Sequence, residues 1–266
     1  MERYFLNMET KYGKTERIKS IDKALDLLEF LSGNESEIGI TEVSKKLSMG
    51  LSTVHRILTT LKSRGYIIQN QKTSKYRLGI KLFELGCEVQ SAKHLVKLIE
   101  PYLLQLSTST NETSNLAILE VKDVVYLAKC ESSEVLTTNI KIGTRLPAHC
   151  TALGKAILAY LPDSEFNLLY QVNEPIISLT SKSISSLDEL EKELNNVKEQ
   201  GYALDREEYK IGINCVGVPI FVRNGEAMAA ISITGPASRF TTDKMEDAKN
   251  KLMIVSKEIS KFFYKT

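Results

Sequence analysis

The chain has 266 residues, 42 % of them hydrophobic and 26 % charged, with no tryptophan and a formal net charge of +2, the make-up of a soluble globular protein. That length allows two domains and a proper core in the larger one. No run approaches the ~20 apolar residues of a membrane span, and residues 1–13 are charged without an apolar centre, which excludes an export signal and predicts a cytoplasmic protein. Cys87, Cys130, Cys150 and Cys215 are scattered with no C-x-x-C pair. Reduced thiols are therefore expected, without a disulfide framework and without a metal or other cofactor.

Residues 1–16 are polar, charged and aperiodic, and read as a loose arm. Ser20 is placed to cap an amphipathic helix through Ile21, Ala24, Leu25, Leu27, Leu28 and Leu31, ending at Ser32-Gly33-Asn34. Residues 41–47 form a second, short helix with Thr41 as N-cap and Val43 and Leu47 on one face. Ser48-Met49-Gly50 breaks the pattern. From there Leu51, Val54, Ile57, Leu58 and Leu61 make an apolar stripe, so a third helix buries one face. Its other face shows Ser52, Thr53, His55, Arg56, Thr59, Thr60 and Ser63. These side chains suit phosphate oxygens and base edges, and none is a carboxylate. The pair of helices therefore reads as a helix-turn-helix whose second helix enters a major groove.

The charge pattern supports a polyanion as partner. From Val43 to Phe83 there is no Asp or Glu, while Lys45, Lys46, Arg56, Lys62, Arg64, Lys72, Lys75, Arg77 and Lys81 supply nine cations. An ordinary surface mixes both signs, whereas a one-sign run suits DNA, where released counterions drive binding. Residues 66–69 and 75–78 are β-prone around a polar turn at 70–74, which makes a hairpin directly after the third helix and hence a winged helix. Its tip carries Lys72 and Lys75. Residues 17–79 are thus the predicted DNA-binding domain, with contacts to double-stranded DNA from Thr41, Ser52, Thr53, His55, Arg56, Thr59, Lys62, Lys72 and Lys75. Residues 1–79 hold fourteen Lys and Arg against nine Asp and Glu, so the rest of the chain is net acidic and does something else.

Residues 80–96 resume helical spacing through Leu82, Leu85 and Val89 and are predicted as one linker helix, which either joins two protomers or packs on its own domain. Residues 94–110 continue as helix broken by Pro101. Strands follow at 114–121 and 124–130 around a Lys122-Asp123 turn, with a third at 136–142. Residues 143–150 read as loop, 151–161 as a helix ended by Pro162, and 187–200 as a helix with Gly201 as C-cap. A hairpin at 215–221 and 227–234 turns on Arg223-Asn224-Gly225-Glu226, and residues 241–261 close the chain as a helix. Hairpin strands with helices at the ends describe an α+β domain around an antiparallel sheet over 97–266.

In that domain, the run from His149 to Lys155 leads into a helix whose first amides are unpaired and whose small residues would let a carboxylate approach. Asp205, Cys215, Ser232 and Thr234 fall where they could converge on it. Ser232 and Thr234 alternate onto one face of an apolar strand, and such polar groups need partners: a small polar ligand, or each other. The residues also leave open an enzyme that uses Cys215 or Cys150 with His149 and Asp205. A nucleophile needs a base within reach, however, and His149 is the one histidine outside the DNA helix and the linker region. A sensor that binds no DNA is the other alternative.

The pieces IDKALDLLEFL, STVHRILTTLKSRGYI, KYRLGIKLFELG, HCTALGKAILAYLP, EQGYALDREEYKIGINCVGVPIF and AAISITGPASRFT, in that order, resemble the IclR family of bacterial transcriptional regulators over nearly the full length. The resemblance implies a winged helix-turn-helix, a linker helix and a C-terminal GAF-like domain that binds a small effector, often a carboxylate. It also implies a homodimer or homotetramer on a palindromic operator, and no enzymatic activity. Effector contacts would come from the positions of Leu146, Ala152, Leu153, Asp205, Cys215, Ser232 and Thr234. The chain departs from the family pattern at Ser48, where Gly is frequent, at Gly50-Leu51, where Pro-Lys is frequent, and at Ala152, where a carboxylate-binding member has Gly.

Overall fold

A computed structural model describes residues 18–34, 36–134, 140–171 and 175–264 of the chain, and the expected arm at 1–16 lies outside them. Contacts divide the chain between Lys93 and His94. In the first unit, α1 (Lys19–Ser32), α2 (Ile40–Lys46) and α3 (Leu51–Ser63) precede a hairpin of β1 (Ile67–Gln69) and β2 (Tyr76–Leu78), the predicted winged helix. Its core gathers Leu27, Leu31, Ile38, Val43, Val54, Leu58, Leu61, Ile67 and Tyr76.

The helix starts differ from expectation. Helix α1 begins before Ser20, with Ile18 at the cap position, and α2 begins before Thr41, with Gly39 there. For α2 the cause is tertiary: Ile38 exchanges backbone hydrogen bonds of 2.9 and 2.8 Å with Tyr76 of the wing. That bridge holds the chain extended up to Gly39, and the helix starts at the next residue. Leu51, expected in the buried stripe, is 51 % exposed. It occupies the first position of α3, and the buried row begins a turn later at Val54.

The expected linker helix over 80–96 is two helices, α4 (Lys81–Cys87) and α5 (Gln90–Thr110). Helix α4 buries no side chain and contains Gly86, so neither packing nor propensity carries the helix through Glu88 and Val89. Pro101, expected to break the next helix, lies inside an unbroken α5. Leu95, Ile99, Leu103 and Leu106 form one fully packed row along it, and that burial outweighs the hydrogen bond Pro101 removes.

The second unit is built on six antiparallel strands in the order β5-β4-β3-β8-β7-β6. They are β3 (Thr113–Glu120), β4 (Asp123–Cys130), β5 (Arg145–Pro147), β6 (Ala203–Arg206), β7 (Ile213–Phe221) and β8 (Ala227–Pro236). The β3–β4 turn is Val121-Lys122 rather than Lys122-Asp123, because Glu120 pairs with Asp123 and Val121 takes the left-handed conformation. The third strand expected at 136–142 falls largely outside the described residues, and 140–142 are not strand. The strand that pairs with β4 is β5, inside the segment read as loop; three residues are too few to show an alternation.

Helices α6 (Ala152–Leu158), α7 (Asp163–Leu169), α8 (Leu187–Gln200) and α9 (Thr242–Tyr264) complete the unit. Helix α6 stops three residues short of the expected 161, and α7 begins right after Pro162, a residue that fits a helix start as readily as an end. Strand alternation sorts side chains by face. Leu116, Val216, Val218, Ile231 and Ile233 pack with α5 and α9. The opposite face packs Ala117, Tyr126, Ala203 and Ala230 with Leu153, Ala156 and Ile157 of α6 and Leu190, Leu194 and Val197 of α8. Asp205, Cys215, Ser232 and Thr234, the side chains expected to bind a ligand, lie on this second face, within reach of the start of α6.

Candidate DNA-reading surface and ligand pocket

On α3, Ser52, His55, Arg56, Thr59 and Lys62 are exposed and Thr53 is half-buried. The Thr59 and Thr60 hydroxyls donate to the carbonyls of His55 and Arg56 at 2.8 and 2.9 Å, leaving their oxygens free to accept. Arg56 and Lys62 are the cations of that exposed face. Thr41 is exposed in the first turn of α2, and Lys72 and Lys75 are exposed on the wing. Lys62 leans onto the wing, its Nζ donating to Gln69 Oε1 at 2.8 Å.

The turn before α3 is fixed by Ser44, whose hydroxyl donates to the Met49 carbonyl at 2.6 Å, and by Ser48 in the left-handed conformation at φ 51°. The wing has an organiser that sequence reading missed. Asn70 Oδ1 accepts from the backbone of Lys72 and Thr73, and Asn70 Nδ2 donates to Glu37 at 2.8 Å. Glu37 also accepts from Thr73 Oγ1 at 3.1 Å and faces Arg77 Nε at 3.8 Å. An acid from outside the basic run thus anchors the hairpin, and its partners are more than thirty positions away in sequence.

In the second unit, strand register assembles the polar residues. Asp205 pairs with Cys215, Cys215 with Thr234, and Ser232 with both Gly217 and Asn115. All of these side chains are buried. Asn115 Nδ2 donates to Ser232 Oγ at 3.3 Å and Thr234 Oγ1 at 3.2 Å. The polar pair on the apolar strand is therefore partly satisfied by a residue that sequence reading passed over, and Asn115 Oδ1 is buried with no partner of its own. Nothing local marks it, since Thr113 and Ser114 before it on the strand are polar as well.

Asp205 Oδ1 accepts from the backbone of Glu208 at 2.8 Å and Tyr209 at 3.4 Å. Burial, reinforced by the Glu208 charge, nevertheless pushes its carboxyl up to about 7. Burial likewise raises the Cys150 thiol to about 12 and Cys215 well above the usual thiol range, so neither is a thiolate at neutral pH. Glu208 Oε1 accepts from Lys155 Nζ at 2.7 Å, and Glu193 Oε1 from the same nitrogen at 3.1 Å. Lys155, Glu193 and Glu208 line a cleft of about 960 Å³ together with Ser183, Asn196 and Arg206.

The start of α6 closes onto this row. A Cβ on Gly217 would stand 2.7 Å from the Ala152 carbonyl, and one on Gly154 would stand 2.2 Å from the Ala148 oxygen. Only glycine lets β7, the Ala148–Cys150 turn and α6 approach so closely. Thr151 caps α6 by accepting from Gly154 N at 3.0 Å. Leu146 and Leu153 are buried in the same apolar cluster beside it. Of the seven expected pocket residues, four thus form the hydrogen-bonding row, Ala152 and Leu153 lie against Gly217, and Leu146 adds an apolar wall.

His149 takes no part in activating a thiol: its Nε2 is 2.9 Å from the Ile177 carbonyl, while Cys150 Sγ donates to the Pro147 carbonyl at 3.4 Å. Among the described residues, no group of three or more His, Cys, Asp or Glu is placed to hold a metal ion, and no helix is long and apolar enough to cross a membrane.

Residues 20–71 match the IclR helix-turn-helix domain, and residues 87–261 match the C-terminal domain of bacterial transcriptional regulator IclR. Over 235 residues the chain is 35 % identical to the HTH-type transcriptional regulator XynR of Escherichia coli K12, covering 88 % of this chain and 93 % of that protein. The crystal structure of Thermotoga maritima IclR superposes with a TM-score of 0.76 at 30 % identity, over 93 % of this chain and 100 % of the other. An IclR homologue from Microbacterium hydrocarbonoxydans, complexed with 4-hydroxybenzoate, superposes with a TM-score of 0.81 at 20 % identity, over 93 % of this chain and 100 % of its own. At that identity the likeness speaks for the fold.

Proposed function

The chain belongs to the IclR family of bacterial transcriptional regulators, and from that premise we propose that a small carboxylate in its second unit controls its grip on a palindromic operator. As a member it is a DNA-binding transcriptional regulator and not an enzyme. The observation that carries the effector reading is the buried row of Asp205, Cys215, Thr234, Ser232 and Asn115 on a sheet face that is otherwise apolar. Asp205, titrating at about 7, is half neutral at cellular pH, and the neutral carboxyl donates to a bound carboxylate instead of repelling it. The relative that holds 4-hydroxybenzoate offers a precedent for such an acid in this fold.

Operator contacts are assigned to Thr41, Ser52, Thr53, His55, Arg56, Thr59, Lys62, Lys72 and Lys75, and effector contacts to Leu146, Ala152, Leu153, Asp205, Cys215, Ser232 and Thr234. A palindromic site calls for a homodimer or homotetramer, because each half-site takes one recognition helix. The effector then acts by population shift: it favours one arrangement of the oligomer, which changes how well two heads fit two half-sites. Such coupling is worth ~1 to 3 kcal/mol.

The test is a fluorescence anisotropy titration of operator DNA from upstream of the protein's own gene, with and without a panel of carboxylates. One acid should shift the affinity of the natural protein, and Asp205→Ala should still bind the operator but lose the shift. An Asp205→Ala protein that responds normally would place the pocket elsewhere.

A further inference from the structure

Asn115 is fully buried at the middle of β3, opposite Ser232, on the face that carries the polar row. Both protons of its amide nitrogen are used, on Ser232 and Thr234. Its oxygen is buried and has no partner. The nitrogen faces the two hydroxyls, and the oxygen is the atom left over.

A buried acceptor without a donor costs roughly 1 to 3 kcal/mol, so proteins rarely keep one. Two neighbours on this face, Ala117 and Gly217, take up little space, and the cross-strand partner Lys129 turns its ammonium to the Ile140 carbonyl at 3.0 Å and to Glu131 at 2.9 Å. A stranded acceptor wants a donor, and a ligand that carries only carboxylate or ketone oxygens has none to give.

We propose that Asn115 is a specificity residue of the effector pocket, whose side-chain oxygen accepts from a hydroxyl on the ligand and so selects hydroxy acids over keto and unsubstituted acids. The assignment rests on the carboxylate reading above and names the class of acid within it. A ketone oxygen placed against Asn115 Oδ1 sets two acceptors face to face; an unsubstituted carbon leaves the acceptor stranded.

The test is calorimetric titration of the full-length protein with two matched triplets: lactate, pyruvate and propionate, then mandelate, benzoylformate and phenylacetate. In at least one triplet the hydroxy acid should bind roughly ten- to a hundredfold tighter than its keto and unsubstituted partners. Asn115→Ala and the milder Asn115→Ser, each checked for a native thermal transition, should reduce that preference to about threefold or less. Equal binding within both triplets means that a trapped water already satisfies Asn115, and overturns the proposal alone. A preference that survives both variants also overturns it, since the hydroxyl is then read elsewhere. If no acid of either triplet binds, the carboxylate reading falls and this proposal with it.

Discussion

The two units of this protein carry their function in opposite ways. The surface assigned to DNA on α3 and the wing is a set of exposed side chains on a small scaffold whose core lies behind them. The row assigned to the ligand in the second unit is buried within the sheet, and its shape depends on backbones that touch. The first surface tolerates change because each side chain acts nearly alone; the second does not, because its residues are also part of the core.

The substitution that separates the two most sharply is Gly154→Ala. The added methyl would stand 2.2 Å from the Ala148 oxygen, which is backbone and cannot swing away. Forcing α6 away from the Ala148–Cys150 turn should cost about 3 kcal/mol or more. Calorimetry should show the transition of the second unit fall by several degrees while that of the first unit holds. An unchanged thermogram would mean that the close approach of α6 is not needed.

The counterpart in the head is Arg56→Ala. This side chain is exposed on α3, so its loss should leave the melting curve unchanged while operator affinity falls roughly ten- to a hundredfold. The steepness of the salt dependence should drop by about one unit if Arg56 meets phosphate, and should stay put if it reads a base edge. Equal affinity in variant and natural protein would move the reading face elsewhere on the helix.

This contrast also explains what was legible in the sequence. The head could be read because its signals are local: a helical stripe at Val54, Leu58 and Leu61, and a run of cations with no acid. Its errors came from long-range contacts. The bridge from Ile38 to Tyr76 decided where α2 starts, and Glu37 reached the wing from outside the basic run. In the second unit, alternation revealed the long strands and showed Ser232 and Thr234 to be out of place. It could not reveal Asn115, because the residue matters only through a register that brings it to Ser232, 117 positions away. Strand β5 was too short to have a period, and Pro101 misled because packing outweighed a local rule.

The smallest effect in view would sharpen the comparison through pH. Asp205 titrates at about 7 in the fold against 3.8 in the unfolded chain, its carboxylate penalised by burial and by Glu208. The folded state therefore holds the proton more tightly, and the contribution of this group to stability is fully present below pH 3.8 and is lost as pH rises through about 7. The loss due to this group should be about 1 kcal/mol between about pH 6 and about pH 8. Asp205→Asn, which cannot ionise, should remove that slope from the transition of the second unit, while the head, with no such buried acid in its core, keeps the same profile in both proteins. Effector affinity should follow the same direction: a bound carboxylate prefers the neutral Asp205, so binding weakens as pH climbs past about 7 in the natural protein and stays level in the variant. A slope that persists in Asp205→Asn would assign the titration to Glu208, the other buried acid of the row, whose carboxyl is also raised by burial but held back by Lys155.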